Sequence, residues 1–344
     1  MSITVASVMS LLIAFVITWL LGYAVIPLLH KLKFGQTILV DIGPKWHAKK
    51  QGTPTMGGIM FIIGVIVSTA ATFLVCKGMG TSAFSPAGEM KNVEIVKIFG
   101  GLLLAVLFAL VGFTDDYIKV VKKRNLGLTE IQKTIPQLII AVAYLFCYYR
   151  VNGTSMYVPF VGSVDMHFFY WIFGICVIYG AINAVNFTDG IDGLCGSVTL
   201  VAALSFTIAA ILYKTTSVSI LAAALVGACA GYLIWNHYPA KVMMGDTGSM
   251  FLGGMVVALA YAIDMPLILV LFGFIYVVEA MSDVIQIGSI KLRHKKVFKM
   301  APIHHHFEMC GWNEKKIVGI FTLVNTIACV LGIIIIYFGD NRVM

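Results

Sequence analysis

The chain has 344 residues, 60% of them hydrophobic and only 12% charged, with a mean hydropathy of +0.94. Soluble domains carry about 25% charged residues, so this composition excludes a water-soluble protein and points to an integral membrane one. The net charge of +8 needs no nucleic-acid partner, because basic loops beside anionic lipid headgroups account for it.

Roughly 20 apolar residues cross the bilayer core as a helix. That rule places spans at 4–29, 55–76, 95–114, 131–149, 167–186, 195–213, 217–236, 248–264, 266–290 and 317–338. The expected fold is an all-α integral membrane protein of about ten transmembrane helices, in a single polytopic domain over 1–344. No Pro- or Ser-rich linker, low-complexity tract or repeat divides it. The first span is too long for a cleavable leader and lacks its basic start, so it reads as a retained helix. A short turn at Asp264-Met265-Pro266 separates the eighth span from the ninth.

Lys and Arg are retained on the cytoplasmic side. One set of gaps holds 18 of them: Lys31, Lys33, Lys45, Lys49, Lys50, Lys119, Lys122, Lys123, Arg124, Lys133, Lys241, Lys291, Arg293, Lys295, Lys296, Lys299, Lys315 and Lys316. The opposite set holds 6: Lys77, Lys91, Lys97, Arg150, Lys214 and Arg342. Both termini are therefore expected outside, with the polar motifs gathered at the cytoplasmic face. The seven cysteines are scattered, with no C-x-x-C pair. They read as buried packing residues without disulfides.

The motifs follow in chain order. Lys50 precedes Gly52-Thr53-Pro54-Thr55-Met56-Gly57-Gly58, and a lysine beside a glycine-rich helix start suits a phosphate. Asp115-Asp116 ends the third span, where an acid is costly in hydrocarbon and unfavourable at a helix C-terminus. Lys119 and Lys122 can neutralise the pair; alternatively the carboxylates share a divalent cation, or one is poised as a base. Lys123 and Lys133 extend the basic set.

Asn183, Asn186, Asp189 and Asp192 recur every three residues and form one stripe on a helical path. No Lys or Arg lies between Arg150 and Lys214 to neutralise them locally. Gly190 and Gly193 would let a ligand approach the backbone. In Met244-Gly245-Asp246-Thr247-Gly248-Ser249, Asp246 or Thr247 reads as the N-cap of the eighth helix. The same helix start suits phosphate, with Asp246 as a hard oxygen ligand for Mg²⁺. Glu279, Asp283 and Gln286 share one face of the ninth helix, which implies a polar cleft. His304-His305-His306 is a poor zinc site, because neighbouring side chains diverge, so neutral imidazoles that hydrogen-bond a polar substrate are the expectation.

These motifs resemble those of the polyprenyl-phosphate N-acetylhexosamine-1-phosphate transferases and, within them, the phospho-N-acetylmuramoyl-pentapeptide transferase (MraY) family. The resemblance runs through Lys50–Gly58, Asp115-Asp116-Tyr117 with Lys119, Asn183–Gly193, Asn236–Ser249 and Ala301–Glu308. The Pro302-Ile303-His304-His305-His306-Phe307-Glu308 run is its most specific part; the aspartate motifs mark only the superfamily. It implies ten helices and an active-site cleft at the inner face of a bacterial plasma membrane. It also implies transfer of phospho-MurNAc-pentapeptide from UDP-MurNAc-pentapeptide to undecaprenyl phosphate, giving lipid I and UMP, with Mg²⁺ as cofactor and a homodimer as assembly.

By resemblance, Asp246 holds the metal, while Asp115 and Asp116 serve the acceptor phosphate, one of them as base or metal partner. Asn186 and Asp189 line the metal site and Asp192 the uridine. Lys50 and Gln286 contact the nucleotide, His304–His306 the sugar or uracil side. Thr55, Lys119, Lys122, Lys123, Lys133, Asn183 and Asn236 complete the substrate-binding set. One departure is Met243, at a place often aromatic in the family, which puts stacking on uracil there in doubt. A sister transferase using UDP-GlcNAc is the nearest alternative. A cation transporter would carry acids near the middle of several helices, whereas here they cluster at one end. A cell-wall scaffold leaves the carboxylates unexplained.

Overall fold

The computed structural model describes residues 1–32, 52–79, 92–121 and 127–343. The helices in chain order begin with α1 (Ile3–Lys31), α2 (Gly58–Gly78), α3 (Asn92–Ile95), α4 (Gly101–Val121) and α5 (Glu130–Asn152). A π-helical turn, Val96–Gly100, joins α3 to α4. Next come α6 (Phe169–Thr188), α7 (Leu194–Leu212), α8 (Thr216–Asn236) and α9 (Gly245–Ala262). The last are α10 (Leu269–Phe272), α11 (Phe274–Arg293), α12 (Ile303–Met309) and α13 (Glu314–Gly339).

All ten expected spans fall on helix. Among the described residues, eight helices are long and apolar enough to cross a membrane, α3 running through the π-helical turn into α4 as one, and the α10–α11 pair makes nine when counted as one span. The tenth, α9, stands outside that set: its 18 residues open on the polar turn Gly245–Ser249, which lowers its hydropathy. α9 is nevertheless almost wholly buried. Its neighbours α2, α4 and α6 pack around it, so it is shielded from lipid by protein.

Small residues set this packing, as is usual where lipid supplies no hydrophobic drive between helices. α8 carries Ala222–Ala224, Gly227 and Gly231, and 83% of its most apolar window is buried, against 17% for α1. A Cβ at Gly227 or Gly231 would run into α1 backbone at Leu11 or Phe15. Gly101 and Ala258, then Ala105 and Gly254, bring α4 against α9, and Gly58 rests on Gly248 where α2 meets α9. The exposed Leu74, Ile139 and Phe338 are on the outer surface of this bundle, as lipid-facing side chains would be.

Two features depart from the expectation. The straight span 266–290 is broken at Gly273 into two pieces at 87°. Pro266 starts a 3-10 turn (Pro266–Ile268), and a Cβ at Gly273 would press on Tyr276 and the Leu269 carbonyl. An all-α fold also omits the antiparallel hairpin β1 (Ser155–Val158) and β2 (Gly162–Asp165). Gly162, at φ 97°, begins its second strand. The hairpin is anchored by Tyr157 N donating to Asp264 O at 2.9 Å and Phe160 N to Gly339 O at 2.8 Å.

Candidate active site

The start of α2, the end of α4, the start of α5, the end of α6 and the start of α9 meet at one end of the bundle. α4 continues through Val121, so Asp115 and Asp116 lie in its last two turns rather than at its tip. The crossing at Gly112 explains their reach. A Cβ there would overlap the Asp246 carbonyl, so only glycine lets α4 touch the first turn of α9. Asp115, Asp116 and Asp246 thus each bring an oxygen within 4.8 Å of the others.

Asp116 caps α9 from another helix. Its Oδ1 accepts Asp246 N at 3.2 Å, and its Oδ2 accepts Thr247 N at 2.9 Å and Thr247 Oγ1 at 2.7 Å. The expected N-cap, Asp246 or Thr247, is corrected: the helix already starts at Gly245, whose φ of 70° leads the chain into it. Asp116 supplies the carboxylate that satisfies its free amides and complements its positive end. A Cβ at Gly245 would meet the Asp116 carboxylate and Thr55 Oγ1, so Thr55 belongs to this cluster. The approach to α2 is fixed by Met243 N donating to Pro54 O at 2.8 Å and Gly57 N to Met243 O at 2.9 Å. Met243 itself is buried.

Asp115 Oδ1 accepts Leu128 N at 2.7 Å, and Oδ2 pairs with Lys119 Nζ, one turn on, at 2.5 Å. Among the described residues, the Asp246 carboxylate is held by side chains. Lys119 and Lys133 reach its Oδ2 at 3.1 and 2.8 Å, and Asn186 Nδ2 donates to its Oδ1 at 2.9 Å. Asn186 also donates to Ser249 Oγ at 2.7 Å. Lys133 lies in the first turn of α5, which a Thr129–Gln132 capping box starts, a Thr-x-x-Gln signal readable in the sequence. Among the described residues, three carboxyl groups and two ammonium groups converge here. Hard oxygen donors at this spacing fit a small divalent cation, around which opposite ligands are about 4.2 Å apart.

The stripe expected from Asn183 to Asp192 holds only in its first half. α6 ends at Thr188 with Asp189 as its cap, so the path beyond is a turn. Asn183 donates to Gln137 Oε1 at 3.2 Å and to Tyr179 O at 2.8 Å. Asp192 Oδ2 accepts Ala240 N, and Asp192 N donates to Glu314 Oε2, both at 2.9 Å. Asn236 accepts Gly193 N at 3.1 Å and donates to Val242 O at 2.9 Å. Asp192 and Asn236 therefore tie the 189–193 turn to the irregular segment that leads into α9.

The histidine run forms α12, and each ring takes a different partner. His304 Nδ1 lies 3.1 Å from Glu279 Oε2, with both side chains fully enclosed. His305 Nδ1 lies 2.6 Å from Glu308 Oε2, and His306 Nδ1 accepts Lys299 N at 3.1 Å. The His304 ring sits where a Cβ of Gly190 would be, which joins α12 to the 189–193 turn. Gln286 accepts Val297 N and Phe298 N and donates to Phe298 O, ordering the segment before α12. Asp283 is partly exposed on the same helix. Lys50, Lys122 and Lys123 lie outside the described residues.

Glycosyl transferase family 4 matches residues 98–264, and the phospho-N-acetylmuramoyl-pentapeptide-transferase signature 1 matches residues 50–62. A phospho-N-acetylmuramoyl-pentapeptide-transferase of Clostridium perfringens is 42% identical over 326 residues, 94% of this chain and 97% of the relative. The chain belongs to the phospho-N-acetylmuramoyl-pentapeptide-transferase family. Enzymes with the same name from Clostridium kluyveri (43% identical, 94% of this chain and 97% of the relative) and Acetivibrio thermocellus (42%, 93% and 92%) extend the match. All three aspartates fall in the long matched region, and Thr55 falls in the short signature.

Proposed function

We propose that this protein transfers phospho-MurNAc-pentapeptide from UDP-MurNAc-pentapeptide to undecaprenyl phosphate, releasing UMP and forming lipid I at the cytoplasmic face of a bacterial plasma membrane. One observation carries the reading: three aspartates from two helices and two lysines converge at one end of an apolar bundle. A polyprenyl acceptor keeps its tail in lipid and its phosphate at the headgroup plane, so chemistry on it belongs at helix ends.

An acceptor oxygen attacks the β-phosphorus of the donor, and the bond from that phosphorus to the oxygen of UMP breaks. A phosphate monoester with a second pKa of about 6 is already mostly dianionic at neutral pH, so no carboxylate has to take its proton. The protein's task is to bring two anions together and hold them in line. Lys119 and Lys133 screen that repulsion, since both already converge on one carboxylate oxygen. Asp116 positions the first turn of α9, and Asp115 holds Lys119.

Asp246, with Asp115 and Asp116 beside it, would hold Mg²⁺, because its present partners are side chains rather than backbone. When bound there, Mg²⁺ would act as a Lewis acid on the diphosphate and stabilise the leaving charge. Asn186 orients the Asp246 carboxylate. Thr55, Asn183, Asp189 and Lys50, which lies outside the described residues, complete the donor side in this reading, and a homodimer is the proposed assembly.

The test is UMP release by the purified protein with undecaprenyl phosphate, Mg²⁺, and either UDP-MurNAc-pentapeptide or UDP-GlcNAc. Release with the first donor alone, abolished by chelator and restored by Mg²⁺, is the expected result. Turnover of UDP-GlcNAc instead would move the assignment to the sister transferases, and no turnover of either would remove it.

A further inference from the structure

Glu279 of α11 is wholly enclosed and stands apart from the carboxylate cluster. An acid inside a candidate membrane span is costly to keep there and marks a functional group with a partner. That partner is His304 of α12, itself enclosed, whose Nδ1 lies 3.1 Å from Glu279 Oε2. The far atoms of the pair, Glu279 Oε1 and His304 Nε2, are buried and take no hydrogen bond among the described residues. Nε2 faces the 189–193 turn, where a Cβ on Gly190 would come within 2.1 Å of it.

We infer that Glu279 is a positioning residue of the donor site: by accepting the Nδ1 hydrogen of His304, it leaves Nε2 as a bare acceptor at the 189–193 turn, for an N–H or O–H of the nucleotide. The inference rests on the transferase reading above and on the uridine that the family resemblance gives to Asp192 of the same turn. Reaching Nε2 requires the turn to move off the ring, and Gly190 has no side chain to carry with it.

The tautomer follows from the partners. A carboxylate oxygen only accepts, so Nδ1 carries the hydrogen, and a neutral imidazole then keeps a lone pair at Nε2. The neighbouring rings are held otherwise. His306 Nδ1 accepts Lys299 N at 3.1 Å, which puts its hydrogen on Nε2, and His305 faces Glu308 of its own helix. It is the His304 ring that meets Gly190.

A role in packing alone fits less well. Two turns along α11, Gln286 shows what a saturated buried group looks like: it accepts Val297 N and Phe298 N and donates to Phe298 O. The Glu279–His304 pair instead leaves an atom open at each end, which is destabilising unless a ligand supplies the missing partner.

The experiment measures KM for UDP-MurNAc-pentapeptide and for undecaprenyl phosphate, with kcat, in Glu279→Gln, His304→Ala and the double variant. Glutamine keeps the size of the side chain but presents either its oxygen or its NH2 to Nδ1, so the tautomer is no longer held. Glu279→Gln should raise the donor KM about tenfold, the loss of one hydrogen bond, with the acceptor KM and the thermal midpoint in detergent unchanged. Added to His304→Ala, it should raise the donor KM no further. An unchanged donor KM, an additive loss, or an equal rise in both KM values would overturn the inference. A second measurement uses the unaltered protein. Ile303-His304 is the one Ile-His step in the chain, so paired isotope labelling assigns the ring, and its nitrogen-15 signals should show hydrogen on Nδ1 and none on Nε2. Hydrogen on Nε2 alone would overturn the inference whatever the kinetics. Inactivity of the unaltered protein would instead overturn the transferase reading, and the donor role with it, leaving the tautomer as measured.

Discussion

Adjacent residues on a helix point about 100° apart, so Asp115 and Asp116 cannot do the same work. Asp116 spends both oxygens on the first amides of α9 and the Thr247 hydroxyl. Asp116→Ala leaves those buried groups without an acceptor and should cost on the order of 2–4 kcal/mol. Asp116→Asn keeps one acceptor oxygen and should cost less. Thermal unfolding in detergent reads the difference, and an alanine variant as stable as the unaltered protein would contradict the capping role. Asp246 is the opposite case, because its partners are Lys119, Lys133 and Asn186 side chains. Asp246→Asn should therefore lower kcat on the order of 10²-fold or more and raise the Mg²⁺ needed for half-maximal UMP release, with little loss of stability. Near-normal turnover at matched expression would rule out its metal role. The sequence placed these acids near helix ends, with Lys119 and Lys122 able to neutralise the first pair. Which one is a cap and which a ligand depends on how α4 crosses α9, and that is a tertiary fact.

The crossing itself rests on glycine. A side chain at Gly112 would overlap the backbone of Asp246 and Thr247, and backbone cannot step aside as a flexible side chain does. Gly112→Val should push α4 off α9, cost about 1–3 kcal/mol, and reduce kcat more than tenfold because three aspartates lose their spacing. Gly180 on α6 is the control: nothing lies within 4 Å of a Cβ built there, and Gly180→Ala should leave stability unchanged or raise it by up to about 1 kcal/mol. Equal effects at the two positions would mean that helix propensity, not contact, governs both. At this scale legibility was uneven. Long apolar runs named the helices, because hydropathy over about 20 residues is a strong signal. The bend at Gly273 was missed, since glycine and proline are common in membrane helices and do not say which one breaks. The hairpin at Ser155–Asp165 was missed because four-residue strands carry little periodicity. The α12 turn was missed because the histidine run offered no helical repeat to read.

Across the whole molecule, the two ends of the bundle differ in what their charges do. At the end opposite the carboxylates, Lys97 pairs with Asp264 at 2.6 Å and Arg342 clasps Asp340 through two nitrogens at 2.6–3.0 Å. Tyr213 also donates to Asp340 at 2.6 Å. Burial raises the Asp340 carboxyl, but its hydrogen bonds from Arg342 and Tyr213 more than offset that and hold it below the usual range. Tyr213 with Asp340, and Arg342 with Asp264 at 3.6 Å, tie the segment after α13 to neighbouring helix ends, while Lys77, Arg150 and Lys214 remain exposed there. At the carboxylate end, Lys241, Arg293, Lys295, Lys296, Lys315 and Lys316 are exposed and free to face anionic headgroups, as the positive-inside rule requires. We propose from this charge bias that the carboxylate end faces the cytoplasm, the compartment that would supply the donor. A cysteine placed at Val161, on the hairpin tip and 72% exposed, should react with an impermeant maleimide on intact cells when the seven native cysteines are replaced. A cysteine at Lys295, beyond the end of α11, should react only after permeabilisation. Removing one positive charge there leaves the 18-to-6 imbalance of the sequence almost intact, so the substitution does not itself invert the protein. The reverse labelling pattern would put the aspartates outside, away from cytoplasmic nucleotide sugars, and no arrangement of metal and lysines at that end could then serve the proposed reaction.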